Sequence, residues 1–212
     1  MKQGRIILDS FESSLLKNNP LKDPHIRQLA IYLPPGYEEE TTQSYPVVFL
    51  LPGFAGKGPM MLNREAFSEA IDERLNRLIA SQTIQPMIVV MPDCFTYYGG
   101  SQYRNSPTLG QYESYLVEEL VPYIKNRFRT KPEPRFWAIA GKSSGGYGAL
   151  TLSMRHPDVF GSLACHSGDM GFEYCYLPDF PPAMLALEKA GGIAAFMDKF
   201  YAAPKKDGLS FL

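Results

Sequence analysis

"RFWAIAGKSSGGYGALTLSMRHP", Arg135 to Pro157, divides into a short apolar run, a cluster of glycines around two serines, and an apolar stretch closed by His156-Pro157. The run Phe136–Ala140 suits a buried strand, and Gly145 to Arg155 suits a helix. Between them lies Gly141-Lys142-Ser143-Ser144-Gly145, a G-x-S-x-G pattern. The string is a weak signal by itself, but its setting is specific. A serine on a tight strand-to-helix turn needs glycines on either side, because any Cβ there would hold strand and helix apart. The helix amino terminus also favours a developing negative charge. On this reading Ser143 takes the tip of the turn as a candidate nucleophile, and Ser144 offers its backbone N–H to an oxyanion. A glycine-rich helix entry with a capping serine, or a phosphate-cradling loop, is the competing reading. The full phosphate-loop pattern is absent.

Outward from this turn, the chain alternates strands and helices. "RQLAIYLPPGY", "YPVVFLLPG", "PMIVVMPD" and "GSLACHSG" read as strands, and the continuous apolar runs among them suit strands buried on both faces. Apolar residues at Phe67, Ala70, Ile71, Leu75, Leu78 and Ile79 predict a helix over Arg64–Ala80. Tyr112, Leu116, Leu120, Tyr123 and Ile124 predict another, which Pro122 should kink or shorten. Two weaker helical stretches are expected near Ala183–Ala190 and Ile193–Tyr201. The implied fold class is α/β, a mostly parallel sheet with helices on both faces. Ligands of such sheets bind at the carboxyl ends of the strands. Here those ends are "LPGFAGKG", "PDCFTYYGG", "GKSSGG" and "HSGDMG".

The second oxyanion donor is expected after an earlier buried strand, and the N–H of Phe54, following Gly53, fits. The loop Tyr97-Tyr98-Gly99-Gly100-Ser101-Gln102-Tyr103 should stand beside Ser143. Tyr97 and Tyr98 are candidate pocket walls, together with His166 and Asp169 at the end of the last strand.

Composition narrows the function classes. The 212 residues carry a formal net charge of −1 and 45% hydrophobic residues, enough for one domain with a sizeable core. No basic excess argues for nucleic acid, and no apolar run approaches a membrane span. The three cysteines, Cys94, Cys165 and Cys175, lack metal-ligand spacing. A reduced, cytoplasmic protein without metal or cofactor is expected.

Taken together, "IYLPPGY", "VVFLLPGFAG", "VVMPD", "YLVEELVPYI", "GKSSGGYGAL" and "RHPDVFGSLACHSG" resemble the esterase D-like family of the α/β-hydrolases, in the order that family has them. The resemblance covers Ile31 to Gly168. It implies hydrolysis of a small-molecule carboxylic ester through an acyl-enzyme, with Ser143 at the nucleophile position and Phe54 and Ser144 at the oxyanion positions. Pro52-Gly53 departs from a frequent His-Gly or Asp-Gly, and Lys142 replaces a frequent histidine.

A serine hydroxyl needs a general base. In α/β-hydrolases the chain order is serine, acid, histidine. This sequence has three histidines, His25, His156 and His166, and none follows Ser167. His156 should lie at the far end of the helix that Ser143 opens, about 20 Å away. Asp207, in "KKDG", reads as a turn. The expectation is therefore a single α/β-hydrolase domain over 1–212 that lacks its C-terminal strands, with 171–212 as a helical insertion and the acid and histidine beyond Leu212. Its partners would be a second copy or a complementing C-terminal fragment. A non-catalytic relative binding ligands at the same edge, or an acyltransferase or thioesterase using the same serine, is the alternative.

Overall fold

The computed structural model describes residues 3–64 and 66–202. They fall into two compact units, the first running to Gly168 and the second beginning at Asp169. The first unit is built on a six-stranded sheet. Its strands are β1 (Arg5–Glu12), β2 (Ile26–Leu33), β3 (Val47–Leu51), β4 (Ile88–Pro92), β7 (Trp137–Lys142) and β8 (Ser162–His166). A two-stranded ribbon, β5 (Asn105–Ser106) with β6 (Gly110–Gln111), sits in the loop after β4. The sheet order is β1-β2-β4-β3-β7-β8. β1 and β2 pair antiparallel, as do β2 and β4, while β4, β3, β7 and β8 run parallel. The mostly parallel sheet is as expected, and among the described residues it ends at β8.

Strand alternation divides the core in two. Leu29, Ile31, Val47, Phe49, Leu51, Ile88, Val90 and Ile139 face one side and share a cluster with residues of the helices there. Those helices are α2 (Tyr112–Ser114), α3 (Val121–Arg127) and α4 (Ser144–Arg155). Ala30, Tyr32, Val89 and Met91 face the other side, against Leu75 of α1 (Ile71–Ala80). With both faces covered, β4 is buried along its whole length. That is why these strands read as continuous apolar runs.

The expected helix over Arg64–Ala80 begins only at Ile71. The apolar spacing misleads upstream because Phe67 has a φ of 65°, outside any helix. The start is set by Glu73, whose carboxylate accepts the Ala70 N–H at 3.0 Å, with Asp72 and Glu73 in the first turn. Pro122 does not end its helix. A six-residue π-helical stretch, Tyr115–Leu120, joins α2 to α3 directly before it. Widening the turn there accommodates a residue that has no N–H for the usual ladder.

β1 is the strand that pattern reading passes over. It alternates half-buried and exposed residues, and Leu8 is 69% exposed. The turn after it is held from across the fold by Glu119. That carboxylate accepts the Ser14 N–H at 2.8 Å, the Leu15 N–H at 3.1 Å and the Ser13 hydroxyl.

At the far end of α4, Glu113 is 4% exposed and accepts from Arg155 Nε at 2.7 Å and His156 Nε2 at 2.9 Å, with Arg104 Nε 3.5 Å away. Burial opposes its ionisation, but the hydrogen bonds from Arg155 and His156 outweigh burial and hold its carboxyl below the ordinary value. The contribution is complete above an unfolded carboxyl value of about 4.3, and it is lost as pH falls through the lower folded value. Urea midpoints measured against pH should therefore fall more steeply on acidification for the wild type than for Glu113→Gln.

The second unit contains α5 (Phe172–Cys175), α6 (Phe180–Ala190) and α7 (Ile193–Ala202). α6 and α7 turn at Gly191 and Gly192, both with positive φ. The two weak helical stretches in the sequence are thus a helix pair. No helix among the described residues is long and apolar enough to cross a membrane.

Candidate active site

β7 ends at Lys142 and α4 begins at Ser144, so the turn between them is Ser143 alone. Its backbone has φ 56° and ψ −124°. This is a conformation an L-residue adopts at a cost of roughly 1–3 kcal/mol, and it persists only where neighbours hold it. Here they do. The Ser143 N–H donates to the His166 carbonyl at 3.0 Å, and the Ser143 carbonyl accepts the Tyr147 N–H at 3.0 Å. The flanking glycines make the turn possible. A Cβ on Gly141 would lie 2.2 Å from the Gly145 carbonyl oxygen, and one on Gly145 would lie 2.2 Å from that of Leu51.

Register brings the four carboxyl ends together. Leu51 of β3 is opposite Gly141, and Lys142 is opposite His166 of β8. A Cβ on Gly53 would stand 3.5 Å from Ser143 Cβ, so the turn after β3 lies directly against the serine. In that turn Gly56 N–H donates to Gly53 O at 3.0 Å and Ala55 N–H to Gly99 O at 2.9 Å. The Phe54 ring is 63% exposed and lies on the glycine pair of the aromatic loop. A Cβ on Gly99 would come within 2.6 Å of its Cζ. Ser144 is 2% exposed, and its hydroxyl donates to Gln102 Oε1 at 3.0 Å. As the first residue of α4, it carries one of the N–H groups that the helix leaves without an internal acceptor.

The aromatic loop is anchored from below. Arg27 is 2% exposed; it donates to the Phe95 carbonyl at 2.7 Å and to the Tyr112 hydroxyl at 2.6 Å, with Asp93 3.8 Å away. Asp23 Oδ1 accepts the Tyr97 N–H at 2.9 Å. The rings of Tyr97 and Tyr98 meet edge to face, 5.9 Å between centroids. Both tyrosines are half-buried, in the loop whose Gly99 reaches Phe54 and whose Gln102 reaches Ser144.

The remaining candidates divide by position. His166 is exposed at the end of β8, and its carbonyl joins it to Ser143. His156 caps α4 at the other end, on Glu113. His25 lies 3.5 Å from Glu12 at the β1–β2 end. Asp169 opens the second unit. Asp207 lies outside the described residues. Pattern reading gave no role to Gln102, Arg27 or Asp23. The one local signal was Arg27, the charged residue in the mostly apolar "IRQLAIYL".

A mostly parallel sheet with a serine on a positive-φ turn between strand and helix defines an α/β-hydrolase. Within that superfamily the chain belongs to the esterase family described as "Putative esterase", whose model matches residues 24–177. An endo-1,4-β-xylanase/feruloyl esterase of Xylanibacter ruminicola is 31% identical over 141 residues, which are 65% of this chain and 19% of that protein. Among solved structures, a ferulic acid esterase aligns with a TM-score of 0.69 and 28% identity, over 79% of this chain and 61% of that one. An S-formylglutathione hydrolase from Agrobacterium tumefaciens shares the fold, with a TM-score of 0.58 and 23% identity over 77% of this chain and 58% of that one. The chain thus spans less than two thirds of the length of each.

Proposed function

We propose that this chain is the nucleophile-bearing part of a serine carboxylic-ester hydrolase. Ser143 Oγ attacks the ester carbonyl carbon. Its proton passes to a base, and the carbonyl oxygen becomes an oxyanion held by the N–H groups of Phe54 and Ser144. Collapse expels the alcohol and leaves an acyl group on Ser143, which water then removes. The observation that carries this reading is the contact of Gly53 with Ser143 at the start of α4. It brings the turn that carries the Phe54 amide close to the strained serine, which supports the reading. Such donors matter because charge develops where they already point, at no cost in reorganisation.

Aromatic acyl esters are the substrates to try first. Two of the similar proteins are feruloyl or ferulic acid esterases. In this chain Tyr97, Tyr98 and Phe54 supply rings on the loops around the serine. Of the three histidines, His25 and His156 are engaged with Glu12 and Glu113, which leaves His166 as the histidine at this edge.

The test is covalent. Treatment with a fluorophosphonate should give one adduct, and peptide mass spectrometry should find it on Ser143. An adduct on Ser144 or on any other residue overturns the assignment.

A further inference from the structure

We propose that Tyr103 is a positioning residue for the oxyanion turn, acting through the Pro52 carbonyl; the inference rests on the serine-hydrolase reading above. Three observations converge on it. Tyr103 is 4% exposed, and its hydroxyl donates to Pro52 O at 2.6 Å. Its ring packs closely against α4: a Cβ on Gly148 would come 2.4 Å from Tyr103 Cδ2. Its backbone, like that of Gln102 before it, is left-handed, with φ of 55° and 51°. Two consecutive non-glycine residues in that region mark a loop whose shape is held by what it touches. Gln102 touches the elbow, accepting from the Ser144 hydroxyl, while Tyr103 touches the turn after β3 and the body of α4.

The consequence falls on Phe54. The Pro52 carbonyl and the Gly53 N–H share one peptide plane, and the Phe54 N–H belongs to the next. Gly53 joins the two planes and offers little resistance to rotation. The Tyr103 hydroxyl fixes the first plane. The bond from Ala55 N–H to Gly99 O fixes the chain beyond Phe54. The Phe54 amide is thus clamped from both sides by one loop. Burial, with Cys94 and Asp93 nearby, pushes the Tyr103 phenol well above its ordinary value, so it stays a donor wherever the protein is folded.

Tyr103→Phe keeps the ring on Gly148 and removes only the donor. For p-nitrophenyl acetate, kcat should fall tenfold or more with KM within twofold of wild type. Amide hydrogen exchange at Ala55, followed by NMR, should quicken at least tenfold. Tyr115→Phe is the matched control: Tyr115 is buried and its hydroxyl has no hydrogen-bond partner among the described residues, so neither readout should move. Unchanged exchange at Ala55 overturns the proposal. So does quickened exchange with unchanged kcat, which would separate the turn from the chemistry. If Ser143→Ala turns over as fast as wild type, it is the serine-hydrolase reading that has failed. Exchange at Ala55 then decides by itself whether Tyr103 holds the turn.

Discussion

Gly145→Ala should destabilise the protein by about 3 kcal/mol or more, measured as a shift of the denaturant midpoint at constant slope. A Cβ there would lie 2.2 Å from Leu51 O and 2.5 Å from Pro52 O. Both are backbone atoms at the end of a central strand, so relief requires moving α4 or β3. Gly36→Ala is the comparison. Gly36 has a φ of 84° and nothing within 4 Å of its missing Cβ, so its substitution should cost only about 1 kcal/mol of backbone strain. Equal losses at the two positions would refute the close approach of α4 to β3.

The second large effect is chemical. Where a base serves Ser143, Ser143→Ala should lower ester turnover by about a thousandfold or more while leaving the unfolding midpoint within about 1 kcal/mol. On the proposed mechanism, no acyl-enzyme forms without the hydroxyl, and the oxyanion donors assist only direct attack by water. Turnover of p-nitrophenyl esters gives the rate, and mass spectrometry of a quenched reaction gives the acyl adduct. The same assay on His166→Ala assigns the base. A loss as large as that of Ser143→Ala makes His166 the proton acceptor. A rate equal to wild type makes it a residue of the site's edge. Turnover that survives Ser143→Ala removes the serine mechanism.

The parallel strands and the elbow were legible in the sequence because their causes are local. A strand buried on both faces must be apolar throughout, and a tight strand-to-helix turn needs Gly141 and Gly145 at fixed offsets. β1 was not legible, because it is half-exposed and its alternation includes an outward Leu8. The start of α1 was misread because apolar spacing continues past the point where Phe67 leaves the helical region. The supports of the site were hidden for a different reason. The bonds of Arg27 to Phe95 and Tyr112, of Tyr103 to Pro52 and of Gln102 to Ser144 each join segments far apart in the chain. No window of sequence contains both partners. The aromatic loop could be expected beside Ser143, but the way Gly99 and Gly100 seat Phe54 appears only when the two turns are seen together.

The pairing of β3 with β7 also has a kinetic side. Leu51 meets Gly141 across an excursion that contains α1, β4, the β5–β6 ribbon and the run from α2 to α3. β1 and β2, by contrast, pair across the much shorter connection 13–25. Chains dominated by distant parallel pairings fold slowly, because the entropy of closing the loop is lost before the contacts repay it. The elbow stands at the end of that order. Ser143 cannot take its left-handed turn until β8 supplies the His166 carbonyl and β3 brings Gly53 alongside. During refolding, helical signal should therefore return well before Ser143 can react with a phosphonate. In the interval the chain carries a nearly complete set of helices and an ordinary, unstrained serine.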